Sequence, residues 1–309
     1  LYFGGVLFSV IYNMAAGILN AAGNSRRSVL YLACASITNI ILDLVFIAGL
    51  KMGVAGAAIA TDISQLVSCV LSLRFLMKVD ADYKVELSSV RPDKRMTSRI
   101  IRIGLPTGIQ NMVISFSNVL VQSSVNSYGA AAMAGFAAYM KIDGFNILPV
   151  SSISMAATTF VGQNYGAGKK ERIRQGIRQS VISVILFCIV ISCGVFVLAQ
   201  PLMQLFVSET SREIIAVGVK YLRIEGACYV GIGILFMLYG YYRAVNRPNM
   251  SVVLTVISLG TRVLLSYTLS KISWLGVTGI WVSIPIGWFL ADAVGILVYL
   301  RSRRLDEKG

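Results

Sequence analysis

Asn39 and Asp43 lie four residues apart in Thr38-Asn39-Ile40-Ile41-Leu42-Asp43, within the run Ser28 to Leu50. That run is otherwise almost free of charge and long enough to cross a bilayer. A spacing of four puts both side chains on one helix face. Holding an ionised carboxylate at such depth costs at least ~2.5 kcal/mol on insertion scales, so Asp43 must be neutral, paired or turned toward water. An ion or proton site lined by several helices meets that requirement. So does a structural acid bonded to a neighbour's backbone.

Two further polar faces recur at helical spacing. Asn111, Ser115, Asn118 and Gln122 follow one another at intervals of four, three and four residues, which draws one polar stripe down an apolar helix. Such a stripe is costly against lipid and suits either a substrate-contacting cavity wall or helix-to-helix hydrogen bonding. Tyr139, Asp143 and Asn146 form a similar face on the next helix. Asp143 is the second candidate proton carrier; the competing reading is an ion pair with Lys141 or Arg262 that fixes packing. Lys141 stands two residues from Asp143 and does not share its face, so a partner on another helix is favoured. The basic turn from Lys169 to Arg178 suits contact with anionic lipid or simple topology determination.

The elements that position these residues are membrane helices. The 309-residue chain is 56% hydrophobic and 14% charged, against about 25% charged residues in soluble proteins. Its net charge of +14 does not indicate nucleic acid, because the basic residues cluster between apolar runs as the positive-inside rule requires. There is no histidine, and Cys34, Cys69, Cys188, Cys193 and Cys228 lie in apolar segments without a CxxC pair. This argues against a zinc site, a haem attachment motif or a disulfide framework. An intramembrane enzyme would need a nucleophile with a base, a metal cluster or paired acids, and the acids within the apolar runs are scattered; no enzyme and no cofactor are expected. The opening Leu1-Tyr2-Phe3 shows no basic leader with a cleavage site, so no signal peptide is read.

Nine stretches reach spanning length, approximately Leu1 to Ala22, Ser28 to Leu50, Gly53 to Met77, Ile101 to Tyr128, Ala130 to Val161, Gln179 to Leu198, Ile214 to Tyr242, Met250 to Leu269 and Gly276 to Leu300. Basic residues fill alternate connections, from Arg26 and Arg27 to the tail Arg301 to Lys308. Residue 1 is therefore expected outside and the tail in the cytoplasm of a multi-pass protein of the cell inner membrane. Shifting the chain by about 223 positions lays Leu1 to Lys78 over Arg223 to Arg301, pairing Gly53-Val54-x-Gly56 with Gly276-Val277-x-Gly279. Both copies enter from the same side, as parallel repeats do. At that register Arg262 and Ser266 take the places of Asn39 and Asp43, so the acid belongs to one copy only. The expected organisation is an all-α, two-lobe architecture. Residues 1–78 form the latter half of the first lobe, 79–98 a cytoplasmic linker and 99–309 a complete six-helix lobe with its tail. About three amino-terminal helices are expected to lie outside this chain, and transport is expected in the cavity between the lobes.

The run Ile103-Gly104-Leu105-Pro106-Thr107-Gly108, Lys141-Ile142-Asp143 through Pro149, and Ala156-Ala157-Thr158-Thr159-Phe160-Val161-Gly162-Gln163-Asn164-Tyr165-Gly166-Ala167-Gly168 together resemble the multidrug and toxic compound extrusion (MATE) family. So does Asn39 to Asp43 followed by Gly53-Val54-Ala55-Gly56-Ala57-Ala58-Ile59-Ala60-Thr61. The match runs along the last nine of that family's twelve helices. The resemblance implies antiport of a small organic cation or amphipathic compound against H+ or Na+, by alternating access of two lobes. It implies that Asp43 is the acid of a coupling site in the amino-terminal lobe, with Asn39, Thr61 and Asn13 as hydrogen-bonding neighbours. The family's principal aspartate of that site lies on its first helix, outside this chain. Branches that bind the cation in the other lobe use acids at positions that here hold Ile114 and Ile232, which argues against that route. A monomer in the bilayer is expected for the full-length protein. The rival readings are a lipid-linked oligosaccharide flippase of the same superfamily, for which basic cavity residues beyond Lys141 and Arg262 are few, and an inactive fragment.

Overall fold

The structure, a computed structural model, describes residues 2–208 and 211–306. Leu1 and the end of the expected tail, with Lys308, lie outside the described residues. Long apolar runs leave the backbone no water to bond, so each must satisfy its own amides as a helix. Among the described residues ten α-helices result: α1 (Val6–Ala21), α2 (Ser25–Asp43), α3 (Gly53–Lys78), α4 (Lys94–Asn126), α5 (Ala130–Gly166), α6 (Lys170–Gln204), α7 (Arg212–Gly226), α8 (Tyr229–Ala244), α9 (Pro248–Leu269) and α10 (Val277–Asp306). The described residues contain no strand. Pro106, Pro149, Pro201 and Pro285 all sit inside helices, which membrane helices tolerate because neighbours re-satisfy the freed carbonyls.

The chain divides into two compact units, residues 1–94 and 95–309. In the first, α3 packs against α1 and α2. Tyr12, Leu19, Tyr31, Cys69 and Leu76 form its core, and the Tyr12 hydroxyl donates to the Ser28 carbonyl at 3.1 Å. In the second, α5 to α8 pack around one another and α9 lies along α10. That last pair is close because α10 carries Gly279, Ser283, Gly287, Ala291 and Gly295 at every fourth place, the small-residue stripe that lets membrane helices approach. A Cβ at Gly279 would stand 2.7 Å from the Leu269 carbonyl carbon, and one at Gly287 would strike the Ser258 carbonyl oxygen. Gly287→Ala is therefore expected to cost about 1–3 kcal/mol by overpacking, read as a lowered melting temperature in detergent. An unchanged melt would show that the pair has room to part.

The helix bounds of the two copies of the repeat match in register. At an offset of 223, α1 falls on α8, the start of α2 on that of α9, and Gly53 on Gly276. The left-handed residues that end the helices also match: Gly23 (φ 79°) with Asn246 (φ 61°), and Gly53 (φ 57°) with Gly276 (φ 49°). Glycine and asparagine are the residues that adopt this conformation at least cost.

Two expectations about the spans are corrected. Ile214 to Tyr242 is two helices, α7 and α8, bent by 54° at a short break. Hydropathy counts apolar residues and is blind to a turn of the backbone. A broken helix survives at membrane depth where it is buried in protein, and Gly226 and Tyr229 on either side of the break are both buried. Seven single helices are long and apolar enough to cross a membrane, and the bent pair makes an eighth. The expected ninth, α4, is a continuous helix of 33 residues, but its polar side chains leave it short of that apolarity.

Candidate functional site

In the first unit, Asn39 and Asp43 occupy the last turn of α2, and the backbone continues as a π-helical turn over Leu44–Gly49. The wider π turn is rare and concentrates at functional sites. The Asp43 Oδ1 and the Asn39 Nδ2 are both buried without a hydrogen-bond partner. An acceptor and a donor thus stand without partners on one face, and each orphaned group costs about 1–3 kcal/mol. The other two residues grouped with them are bonded within their own helices. Thr61 donates to the Ala57 carbonyl at 2.9 Å, and the exposed Asn13 donates to the Ser9 carbonyl at 2.8 Å. Asp62, beside Thr61, was passed over in the sequence although it too is an acid in an apolar run. Its carboxylate abuts Gly5 and lines a cavity of about 120 Å3 with Ser9, Thr61 and Gln65.

In the second unit, the face of Tyr139, Asp143 and Asn146 meets the broken span. The Asn146 amide donates to the Tyr229 hydroxyl at 3.2 Å, and that hydroxyl donates to the Asp143 Oδ1 at 2.9 Å. One turn away, Tyr139 donates to Glu225 Oε2, and Tyr221 donates to Oε1 at 2.9 Å. Glu225 is 2% exposed. The tyrosines are held by stacking, with Trp281 4.1 Å from Tyr221 and 5.9 Å from Phe136 between ring centroids. Edge and stacked pairs of this kind add to the area they bury. The break between α7 and α8 thus turns the carboxylate of one helix and the phenol of the next toward α5.

This arrangement bears on two readings. Asp143 makes no ion pair among the described residues; Lys141 lies 6.0 Å from the Phe206 ring, and Arg262 donates to Asn118 Oδ1 at 3.1 Å. The tyrosine hydroxyl takes the place of a cation because it reaches the carboxylate without a second buried charge. The second is the argument against a coupling site in this lobe, which rested on Ile114 and Ile232 holding the places of the family's acids. Glu225, seven residues before Ile232, supplies an acid to this lobe, fully enclosed. The sequence signal was present, since Glu225 lies within the expected span Ile214 to Tyr242, although beside Lys220 and Arg223.

The α4 stripe is split. Asn118 bonds Arg262 and Gln122 donates to Asn126 at 2.8 Å, whereas Asn111 and Ser115 are exposed. The buried face of α4 is its neighbour, with Gln110, Ser117, Val121, Ser124 and Val125. Gln110, missed in the sequence, donates to Thr255 on α9 at 2.9 Å while its Oε1 has no donor. Asp292 on α10 was missed as well. It is 4% exposed and both its oxygens lack partners. No group of three or more His, Cys, Asp or Glu side chains among the described residues is placed to hold a metal ion.

A family model described as MatE matches residues 106–268, more than half of the chain. The probable multidrug resistance protein YpnP of Bacillus subtilis is 32% identical over 303 residues, covering 97% of this chain and 66% of that protein. The probable multidrug resistance protein NorM of Thermotoga maritima is 27% identical over 305 residues, covering 97% of this chain and 65% of that protein. A crystal structure of MATE in complex with MaL6 aligns with a TM-score of 0.92 at 25% identity, covering 98% of this chain and 69% of that one. The chain spans slightly less than two thirds of the length of the curated relatives. The repeated helices, the broken span and these matches agree: the chain is a multi-pass helical membrane protein and belongs to the MatE family.

Proposed function

We propose that the protein exports small organic cations or amphipathic compounds in exchange for a coupling H+ or Na+, with Asp43 as a coupling residue. The observation that carries this reading is the pair of orphaned groups Asp43 Oδ1 and Asn39 Nδ2 beside a π-helical turn. A proton or cation arriving at Asp43 gives the carboxylate the partner it lacks. Its departure leaves an unpaired charge that the turn must re-seat. A helix end with two arrangements of comparable energy is the element through which one ligand biases the affinity for another.

The family relationship supports the reading, as does a relative named a probable multidrug resistance protein. A second location for the coupling ion is favoured by Glu225, whose carboxylate is enclosed with two phenols one turn from the Asp143, Tyr229 and Asn146 chain. Everted membrane vesicles carrying the intact gene product test the function directly. A fluorescent organic cation should accumulate when a pH or Na+ gradient is imposed and should leave when the gradient is collapsed. Accumulation that ignores both gradients would overturn the coupled reading.

A further inference from the structure

At the ends of α5, α6, α8 and α10 lies a cavity of about 410 Å3 lined by Tyr165, Lys170, Arg174, Tyr241, Arg247 and Tyr299. None of these residues takes part in the acid clusters described above. We propose that this cavity binds the phosphate of an anionic phospholipid headgroup.

The charge comes first. Among the described lining residues, Lys170, Arg174 and Arg247 stand with one acid, Glu171, whose Oε2 lies 4.0 Å from the Arg174 Nη1. The Arg247 guanidinium donates to the hydroxyl of Ser302, which also lines the cavity, at 2.9 Å, and its other N–H groups remain for a ligand. Lys170 to Arg174 are also the opening turn of α6, a 35-residue helix without a side-chain cap. Its dipole adds to the attraction for an anion.

The shape then selects the kind of anion. Beside the charges stand Ile173, Ile177 and Val245, so one wall is apolar. Tyr241 and Tyr299 meet edge to face at 5.1 Å. Basic residues with tyrosines at helix ends are the composition of a membrane–water boundary, and basic pockets between helices at that level receive anionic headgroups. The volume lies at the lower end of small-molecule pockets, roughly 300–1,000 Å3, enough for a phosphodiester headgroup. Acyl chains would run along apolar faces of the same helices, where Ile182 and Leu297 are exposed. A free phosphate would use the cations and the helix terminus but gain nothing from the apolar wall.

The test is a melting series on the intact gene product in detergent with added phosphatidylglycerol, phosphatidylcholine or inorganic phosphate. Phosphatidylglycerol should raise the melting temperature in a saturable, salt-sensitive way, and the other two should not. The double variant Lys170→Gln, Arg247→Gln should bind phosphatidylglycerol about 25-fold more weakly, at about 1 kcal/mol or fivefold for each basic residue removed. Glu171→Gln, which removes only the opposing charge, should bind it several-fold more tightly and serves if the double variant does not fold. Equal stabilisation by phosphatidylcholine, an equal response to inorganic phosphate, or unchanged binding in either variant would overturn the assignment.

Discussion

Asp43→Asn is expected to lower gradient-driven efflux by about tenfold or more, within the range of allosteric coupling energies of 1–3 kcal/mol. The substitution keeps the size and one acceptor oxygen of a side chain whose Oδ1 is already buried and unpartnered, so the fold has little to lose. It removes only the capacity to carry charge and exchange a proton. Substrate binding measured without a gradient should persist, and the dependence of efflux on external pH or Na+ should flatten. Asn39→Ala on the same face should weaken coupling less, because Asn39 orients the site without carrying the ion. Full, pH-dependent efflux from Asp43→Asn at normal expression would remove Asp43 from the mechanism and move attention to Glu225.

Glu225→Ala is expected to destabilise the protein by about 2–6 kcal/mol, because it strands two buried hydroxyls at about 1–3 kcal/mol each. Those hydroxyls belong to Tyr139 and Tyr221, both packed in the aromatic cluster with Phe136 and Trp281. Glu225→Gln keeps an acceptor and should melt much closer to the native protein. Removing all the polar partners together, as in Tyr139→Phe, Tyr221→Phe, Glu225→Leu, should recover part of the loss, since an apolar replacement leaves nothing unpaired. The melting temperatures of these variants in one detergent form a cycle that isolates the network. If Glu225→Ala melts with the native protein, the carboxylate is not held as its two bonds indicate. If the triple variant is stable yet transports without a gradient response, Glu225 belongs to the coupling path as well as to the core.

The helical membrane class, the spacing of the repeat and the family were legible in the amino-acid sequence, because each rests on a local or periodic property. An apolar run must become a helix in lipid, and a shift of 223 positions places Gly53 on Gly276 whatever the helices later touch. That Asn39 and Asp43 share a face was legible for the same reason, since a spacing of four fixes it within one helix. Which polar residues on different helices meet was not. Glu225 and Asp143 look alike in sequence, each an acid in an apolar run, yet one is enclosed by two tyrosines and the other hangs on a single phenol. The 54° break between α7 and α8 brings Glu225 and Tyr229 to α5 from either side of a bend. Likewise Arg262 chose Asn118 over Asp143, a choice made by the packing of α9 beside α4. Periodicity places a side chain on its own helix; distances between helices come from how glycines and aromatics let them pack, and those contacts join residues far apart in the chain.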